Sequence, residues 1–295
     1  MITLKKVSTE DFEHIYPLLL GFNNPRLSKE DWRQLFVNHW NNQEDYFGFA
    51  LVDEETNKFV GFMGLVFSTR ETDGKSHKFA NMTSWIIDNR YRRKGLGRKL
   101  LDQVMNLTGY TITDFTAALD TRAMLEHNGF KIMDATVTII RPALKPSTIG
   151  RLFNPNYSIV SNPAKVKDYL NNEELKIFNH HKKFKCFHLI MKEKKSGETC
   201  YLLLSRTFRG RYPHARAHYI SNLEVFARCL AFINAKICLR FRVLGVIVDK
   251  RILAGKTIEN AIQRPMPFVS AFKSDTLEEH HFNDTLYTEL ILLNL

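Results

Sequence analysis

The stretch Trp85-Ile86-Ile87-Asp88-Asn89-Arg90-Tyr91-Arg92-Arg93-Lys94-Gly95-Leu96-Gly97-Arg98 joins two different periodicities through a basic loop that holds two glycines. Before it, Lys78–Asp88 is an apolar, β-favouring run; after it, Leu100, Leu101, Val104 and Leu107 recur at helical spacing and predict a helix over 97–107. A strand that runs through such a loop into a helix has a specific physical capacity. The glycines let main chain approach a ligand with no Cβ in the way, and the first helical N–H groups have no internal acceptor. Those amides and the positive end of the helix attract anions, and Arg92, Arg93, Lys94 and Arg98 add formal charge. The loop is not a P-loop, because Gly-x4-Gly-Lys-Ser/Thr is missing, and it lacks the three glycines of a dinucleotide fingerprint.

Upstream, Ile2–Val7 reads as a strand. Ser8-x-x-Asp11 and Ser28-x-x-Asp31 read as capping boxes opening helices that end near Leu20 and Trp40. Tyr46–Asp53 and Phe59–Thr69, separated by Glu54-Glu55-Thr56-Asn57, form a predicted hairpin. Downstream come a strand at Thr111–Leu119, a short helix at Arg122–Asn128 stopped by Gly129, and a strand at Phe130–Arg141 before Pro142 and Pro146. A domain boundary near 142–160 follows.

The second half repeats this outline. Helical stretches up to His180 precede strands at Lys185–Lys192, Thr199–Arg209 and Ala215–Ile220, with a turn at Ser196-Gly197. Ser221-x-x-Glu224 then reads as a capping box for a helix whose Leu223, Phe226, Leu230, Ile233 and Ile237 share a face, and strands follow at Arg242–Asp249 and Leu286–Leu293. The shared order of hairpin, strand, helix and strand predicts tandem copies of one mixed α/β fold, residues 1–145 and 146–295, with no residue-level repeat visible.

Arg92-Arg93-Lys94-Gly95-Leu96-Gly97 resembles the signature Arg/Gln-x-x-Gly-x-Gly/Ala of the GNAT (GCN5-related N-acetyltransferase) superfamily, and Ile87 falls where that family has the apolar residue ending its central strand. The resemblance covers 1–142 in element order. It implies an acyl-CoA N-acyltransferase fold, with acetyl-CoA as co-substrate and an enzyme acetylating a primary amine; a cytosolic location is expected because the sequence offers neither a signal peptide nor a membrane span. Trp85, Ile86 and Ile87 would receive the pantetheine arm between two splaying strands, and Arg92, Arg93, Lys94, Gly95, Leu96, Gly97 and Arg98 the pyrophosphate. The main chain at Ile87 would supply the oxyanion donor.

The family's Tyr four residues before Gly129-Phe130 is Leu125 here, and its Asn-x-x-Ala is Asp120-x-x-Ala123. Tyr110 and Tyr91 are the remaining acid candidates, and Asp88 and Asp120, at two strand ends, the candidate general bases. No loop of this kind follows Ala215–Ile220, so the second copy is expected to lack the cofactor and to shape the acceptor site.

Composition fixes the broad class. With 295 residues, 44% apolar and 25% charged, the chain is an ordinary globular one, and neither a signal peptide nor a membrane span is predicted. The net charge of +11 is lopsided: residues 1–150 hold 19 Lys/Arg against 18 Asp/Glu, and residues 151–295 hold 23 against 13. A basic second half suits a phosphorylated or nucleotide-linked acceptor, with Arg209, Arg211, His214, Arg216, His218 and Tyr219 as candidate cleft residues, or a solvated face. Two rival readings are an aminoacyl-tRNA-dependent peptidyltransferase, against which the intact cofactor loop argues, and a non-catalytic CoA-binding protein. Cys186, Cys200, Cys229 and Cys238 form no CxxC pair and read as buried thiols; His180-His181 and His280-His281 read as surface residues, with no metal site expected.

Overall fold

The computed structural model describes residues 1–40, 42–142, 156–258 and 261–295, without the side chains of 231–233. The chain forms two compact units: Met1–Met133 with Pro267–His281 and Tyr287–Leu293, and Asp134–Met266 with Phe282–Leu286 and Asn294–Leu295.

The first unit is built on a seven-stranded sheet in the order β1 (Ile2–Lys6), β2 (Gly48–Asp53), β3 (Lys58–Thr72), β4 (Lys75–Ile87), β5 (Tyr110–Ala117), β14 (Val269–Lys273), β6 (Lys131–Met133). Neighbours are antiparallel except β4 and β5, which run parallel and are joined by helix α3 (Leu96–Met105). Leu100, Leu101 and Val104 of α3 are fully buried against β2, β3 and β4 residues such as Leu51, Met63 and Met82. Each such side chain removed from water contributes about 1.5–3 kcal/mol, so α3 is fixed by its packed face rather than by its propensity.

Both predicted capping boxes form. The Ser8 and Ser28 amides each donate to the carboxylate three residues on, at 2.9 Å, and open helices α1 (Phe12–Leu19) and α2 (Lys29–Arg33). α2 passes into a 3₁₀ turn and stops at Phe36, short of Trp40. Helix α4 (Arg122–His127) ends at Gly129 in left-handed backbone, φ +79°.

The second unit has the sheet order β8 (Tyr157–Val160), β9 (Cys186–Glu193), β10 (Thr199–Arg209), β11 (Tyr212–Ile220), β12 (Val246–Asp249), β7 (Thr136–Ile140), β13 (Ala261–Pro265). Strand for strand this repeats the first sheet, again with one parallel pair, β11 and β12, joined by a helix, α7 (Leu223–Phe241). Helices α5 (Pro163–Val166) and α6 (Asn172–His181) precede β9. The predicted tandem repetition of a mixed α/β fold is therefore what the chain adopts.

Four expectations need correction. The strand read over 130–141 is two strands in two sheets: β6 stays in the first, and β7 pairs with β12 and β13. Its apolar pattern is continuous, and only the break at Asp134-Ala135, invisible to a period count, separates them. The first unit, expected as 1–145, accordingly leaves the chain at Met133 and takes back β14, a strand the sequence reading passed over. Pro146 and most of the linker expected over 142–160 lie outside the described residues. Leu286–Leu293 is not a strand; its regular part is helix α8 (Glu289–Leu292), in the first unit, flanked by buried turns.

Last, Asn222 rather than Ser221 caps α7, because Ser221 Oγ accepts from the Tyr201 amide at 2.8 Å while Asn222 Oδ1 takes the amides of Glu224 and Val225 at 3.1 Å. Leu223, Phe226, Leu230 and Ile237 pack into the core as predicted; Ile233 is among the side chains not described. Among the described residues no helix is long and apolar enough to cross a membrane.

Candidate functional site

After β4 the chain makes one 3₁₀ turn, Asn89–Tyr91, and enters α3 through Arg92–Gly95. Two residues there adopt left-handed backbone, Arg93 at φ +60° and Gly95 at φ +73°. Gly95 is the N-cap and has no side chain to cap with; the first helical bond runs from Lys99 N to Gly95 O at 3.1 Å, leaving the amides of Leu96, Gly97 and Arg98 ahead of it. A Cβ built on Gly95 meets nothing within 4 Å, and one on Gly97 reaches only the Trp85 ring, at 3.5 Å. The protein does not fill the space these glycines leave, which is the fit required of a main-chain anion cradle.

The cations around it are partly fixed. Arg92 Nε donates to Ile87 O at 3.1 Å, Arg98 pairs with Asp102 at 2.7 Å, and Lys94 lies over the Tyr91 ring at 5.1 Å. All except half-buried Leu96 and Gly97 are exposed, so loop and cations face solvent together.

The strand that leads to the loop is irregular where it matters. Phe62 pairs with Ile86 but Gly64 with Thr83, so Ser84 and Trp85 together oppose Met63, and Ser84 takes φ +52°. Such a bulge bends and twists its strand. Pairing of β4 with β5 runs from Lys78↔Tyr110 to Asn81↔Thr113 and ends there, so Met82 to Ile87 keep β3 on one side and no strand on the other among the described residues. An extended polar chain can add to that edge as a further strand would. Trp85, Ile86 and Ile87 are on this open segment, and Arg92 to Arg98 form the loop at its end: the residues predicted to act together lie in continuous succession.

At the point where β4 and β5 part sits a residue the sequence reading missed. Glu289 of α8, 1% exposed, accepts from Asn81 Nδ2 through Oε2 at 2.5 Å and from Thr116 Oγ1 through Oε1 at 2.8 Å, bridging the two strands. Thr113 donates to Asn81 Oδ1 at 3.0 Å, which orients the amide. Beside this group lies Asp114, buried; removal from water, and then the Glu289 charge, push its carboxyl well above the usual range. A lone acid inside the apolar run Leu286–Leu293, and another inside Thr111–Leu119, were the available signals.

A raised folded-state pKa means the native state holds a proton the unfolded chain has lost. Stability is therefore full below about pH 3.9, the unfolded value, and declines from there up to the raised folded value. The Asp114→Asn variant should thus gain stability over wild type between pH 4 and pH 7, and melting curves across that range check it; a constant difference would contradict this assignment.

The other predicted residues have defined places. Asp88 caps the 3₁₀ turn and holds Arg90 through two bonds, at 3.1 and 2.8 Å; that guanidinium keeps its carboxyl below the usual range, which makes it a weaker base. Asp120 is exposed in the 3₁₀ turn after β5. Tyr91 donates to Asp53 at 2.5 Å and Tyr110 to Glu44, and Leu125 is fully buried.

In the second unit the corresponding positions are closed. Only Ser221 and Asn222 separate β11 from α7, the first amides of α7 are taken by Asn222, and Thr285 N donates to His218 O at 3.0 Å on the edge beyond the β11–β12 pairing. His214, Arg216 and His218 are buried instead of forming an open basic patch; His218 bonds Ser205 and Thr285, both at 2.8 Å, and burial drives its pKa well down. His181, expected at the surface, is fully buried with Nδ1 against Ile177 O. Cys200, Cys229 and Cys238 are buried and Cys186 half-buried, all as free thiols.

Residues 10–109 match the family model described as Acetyltransferase (GNAT) family. Among solved structures, the chain is similar to a putative acetyltransferase from Pyrococcus horikoshii (13% identity, 97% of this chain and 95% of that one, TM-score 0.57). It is also similar to a GCN5-related N-acetyltransferase from Anabaena variabilis (11% identity, 92% and 72%, TM-score 0.59). A third similar structure is the GCN5-related glucosamine N-acetyltransferase region of a fungal multi-domain GH3 β-N-acetylglucosaminidase (12% identity, 92% of this chain, TM-score 0.61), of which this chain spans 38% of the length. No curated protein matches the sequence.

Proposed function

We propose that this chain, whose residues 10–109 belong to the acetyltransferase (GNAT) family and whose two sheets carry that fold in tandem, is an N-acetyltransferase that moves the acetyl group of acetyl-CoA to a primary amine through its first unit. The observation that carries this reading is the contrast between the two helix starts. α3 begins at an uncapped glycine with open space beside it, whereas α7 begins under the side chain of Asn222. One unit can receive a diphosphate on main-chain amides; the other has satisfied its own.

In this reading the amides of Arg93 to Arg98 and the side chains of Arg92 and Lys94 hold the pyrophosphate. The open edge of Trp85–Ile87 takes the amides of the arm, and the main chain at Ile87 stands as the oxyanion donor. The bound thioester supplies the acyl group. Its thiolate, leaving from a thiol of pKa about 8.5, departs without a dedicated acid, which suits a chain with Leu125 at the family's tyrosine position. Asp120 is the exposed alternative for proton removal, and Asp88 the one already engaged by Arg90. The chain's excess of Lys/Arg over Asp/Glu favours an anionic amine as the acceptor class.

Release of free thiol from acetyl-CoA, followed across amino sugars, polyamines and lysine peptides, tests the reading. Amine-dependent thiol release supports it; binding of acetyl-CoA without release for every amine would leave a CoA-binding protein instead.

A further inference from the structure

We propose that the end of the second unit where β10 turns into β11 is a surface for an anionic phospholipid bilayer, presenting leucine and aromatic side chains amid Lys and Arg. The inference concerns the second unit by itself and does not rest on the acyl transfer assigned to the first.

The topology gathers this surface from segments that are distant in sequence. Ser205 pairs with Cys186, Arg209 with Tyr212, and Ala215 with Val246, so the start of β9, the β10–β11 turn and the start of β12 share one end of the sheet. The last turn of α7 reaches the same end. Phe241 stacks on Phe187 of β9 with ring centroids 4.1 Å apart, Arg206 Nη2 donates to Arg242 O at 3.4 Å, and Leu244 N donates to Pro213 O at 2.9 Å.

Charge on these segments has one sign. No Asp or Glu occurs in 175–192, 199–223 or 225–248, the stretches that supply this end, while Lys182, Arg209, Arg211, Arg240 and Arg242 stand on them. All five are exposed except half-buried Arg209. The carboxylates that pair with α7 do so near its beginning, Glu193 and Glu198 with Arg228 and Glu224 with Lys256. At about 1.5 Å per residue, Arg228 is roughly 18 Å from Arg240, so those pairs leave the far end of the helix positive.

Apolar side chains are exposed at the same place. Five large ones are exposed among the described residues of the second unit, and four of them are here: Leu239 (77% exposed), Leu244 (52%), Tyr212 (49%) and Phe208 (38%). Tyr169, the fifth, lies under Lys192 toward the opposite end of β9. Single exposed apolar residues are ordinary, but four together among cations mark a binding surface. Leu239 and Arg240 also border an open hollow of about 460 Å³ with Ile159, Ser161 and Lys236, which leaves room for a headgroup beside the exposed leucine.

The leucines select the partner. A nucleic acid would meet the same cations, yet leucine has no π face on which a base stacks, whereas an aliphatic side chain on a cationic surface enters the acyl boundary and leaves water. Arg and Lys keep their charged heads among the lipid phosphates while their stems lie along the apolar groups. Attachment of this kind needs no membrane-spanning helix.

Cosedimentation of the full-length chain with vesicles tests this. Vesicles of phosphatidylcholine with about one third phosphatidylserine should bind it at least about tenfold more tightly than phosphatidylcholine alone, and added salt should weaken that binding. Two double variants separate the contributions; every changed side chain is exposed, so their melting curves should match wild type. Leu239→Ser with Leu244→Ser should weaken vesicle binding about tenfold, and Arg211→Gln with Arg240→Gln should remove most of the preference for phosphatidylserine. Equal binding to the two vesicle types, binding to neither, or binding untouched in both variants would overturn the proposal. So would salt-sensitive binding of a single-stranded oligonucleotide, lost in the arginine variant and kept in the leucine one, by a chain that ignores vesicles; the surface would then belong to nucleic acid. Self-association in light scattering that the leucine variant abolishes, again without vesicle binding, would assign it to a second copy of this chain.

Discussion

Gly97→Glu is expected to weaken CoA binding by at least about 100-fold, roughly 2.7 kcal/mol, with the melting temperature little changed. The two halves of that expectation come from the same geometry. A Cβ at Gly97 meets only the Trp85 ring at ordinary contact distance, 3.5 Å, and the residue is not among those with positive φ, so a glutamate fits the fold. Toward solvent, however, the new carboxylate would stand at the first turn of α3, among the amides that the diphosphate needs. It would replace an attraction between anion and helix start with a repulsion, and its own oxygens can take those amides as an N-terminal cap does. Titration calorimetry with CoA on both proteins measures the effect; equal affinity would show that the loop is only a turn.

Gly48→Ala should be the most damaging single-methyl change in the first unit. Gly48 opens β2 at φ +134°, a region closed to alanine without strain, and its added Cβ would lie 2.2 Å from the Met63 carbonyl oxygen and 2.8 Å from Gly64 Cα. Both obstacles are backbone of β3, so relief requires breaking the β2–β3 register rather than turning a side chain. A loss of about 3 kcal/mol or more is expected, a fall in Tm of roughly 6–12 °C for a unit of this size. Gly74→Ala is the control: it too has positive φ, +71°, but open space around it, and should lose only about 1–2 kcal/mol. Similar melting of the two variants would mean that the close approach at Gly48 is not what demands glycine.

Much of this was legible from residues alone because local physics decided it. The glycines at 95 and 97 and the helical stripe Leu100, Leu101, Val104 fix strand, loop and helix with no help from the rest of the chain. The boxes at Ser8 and Ser28 are closed by residues three positions away. What the sequence hid was settled over long separations. Whether Val137–Ile140 pairs with β14 or β12 depends on strands more than a hundred residues downstream, and its alternation is the same in either sheet. Glu289 lies 208 residues from Asn81, so its role was out of reach of any spacing argument. His218 and Arg216 read as a basic patch because charge suggests exposure, yet the bulge in the β10–β11 ladder between Leu203 and Leu204 turns the His218 ring into the core, where Ser205 and Thr285 satisfy it.

The central claim is that a cofactor's diphosphate rests on the main chain at the start of α3 and its arm lies along the open edge of β4. A crystal soaked with acetyl-CoA measures this most directly. The account requires density for the diphosphate within hydrogen-bond distance of the amides of Arg93 to Arg98, continuing past Trp85–Ile87 toward Asn81. Density at the start of α7, or an arm that avoids the gap between β4 and β5, would contradict it.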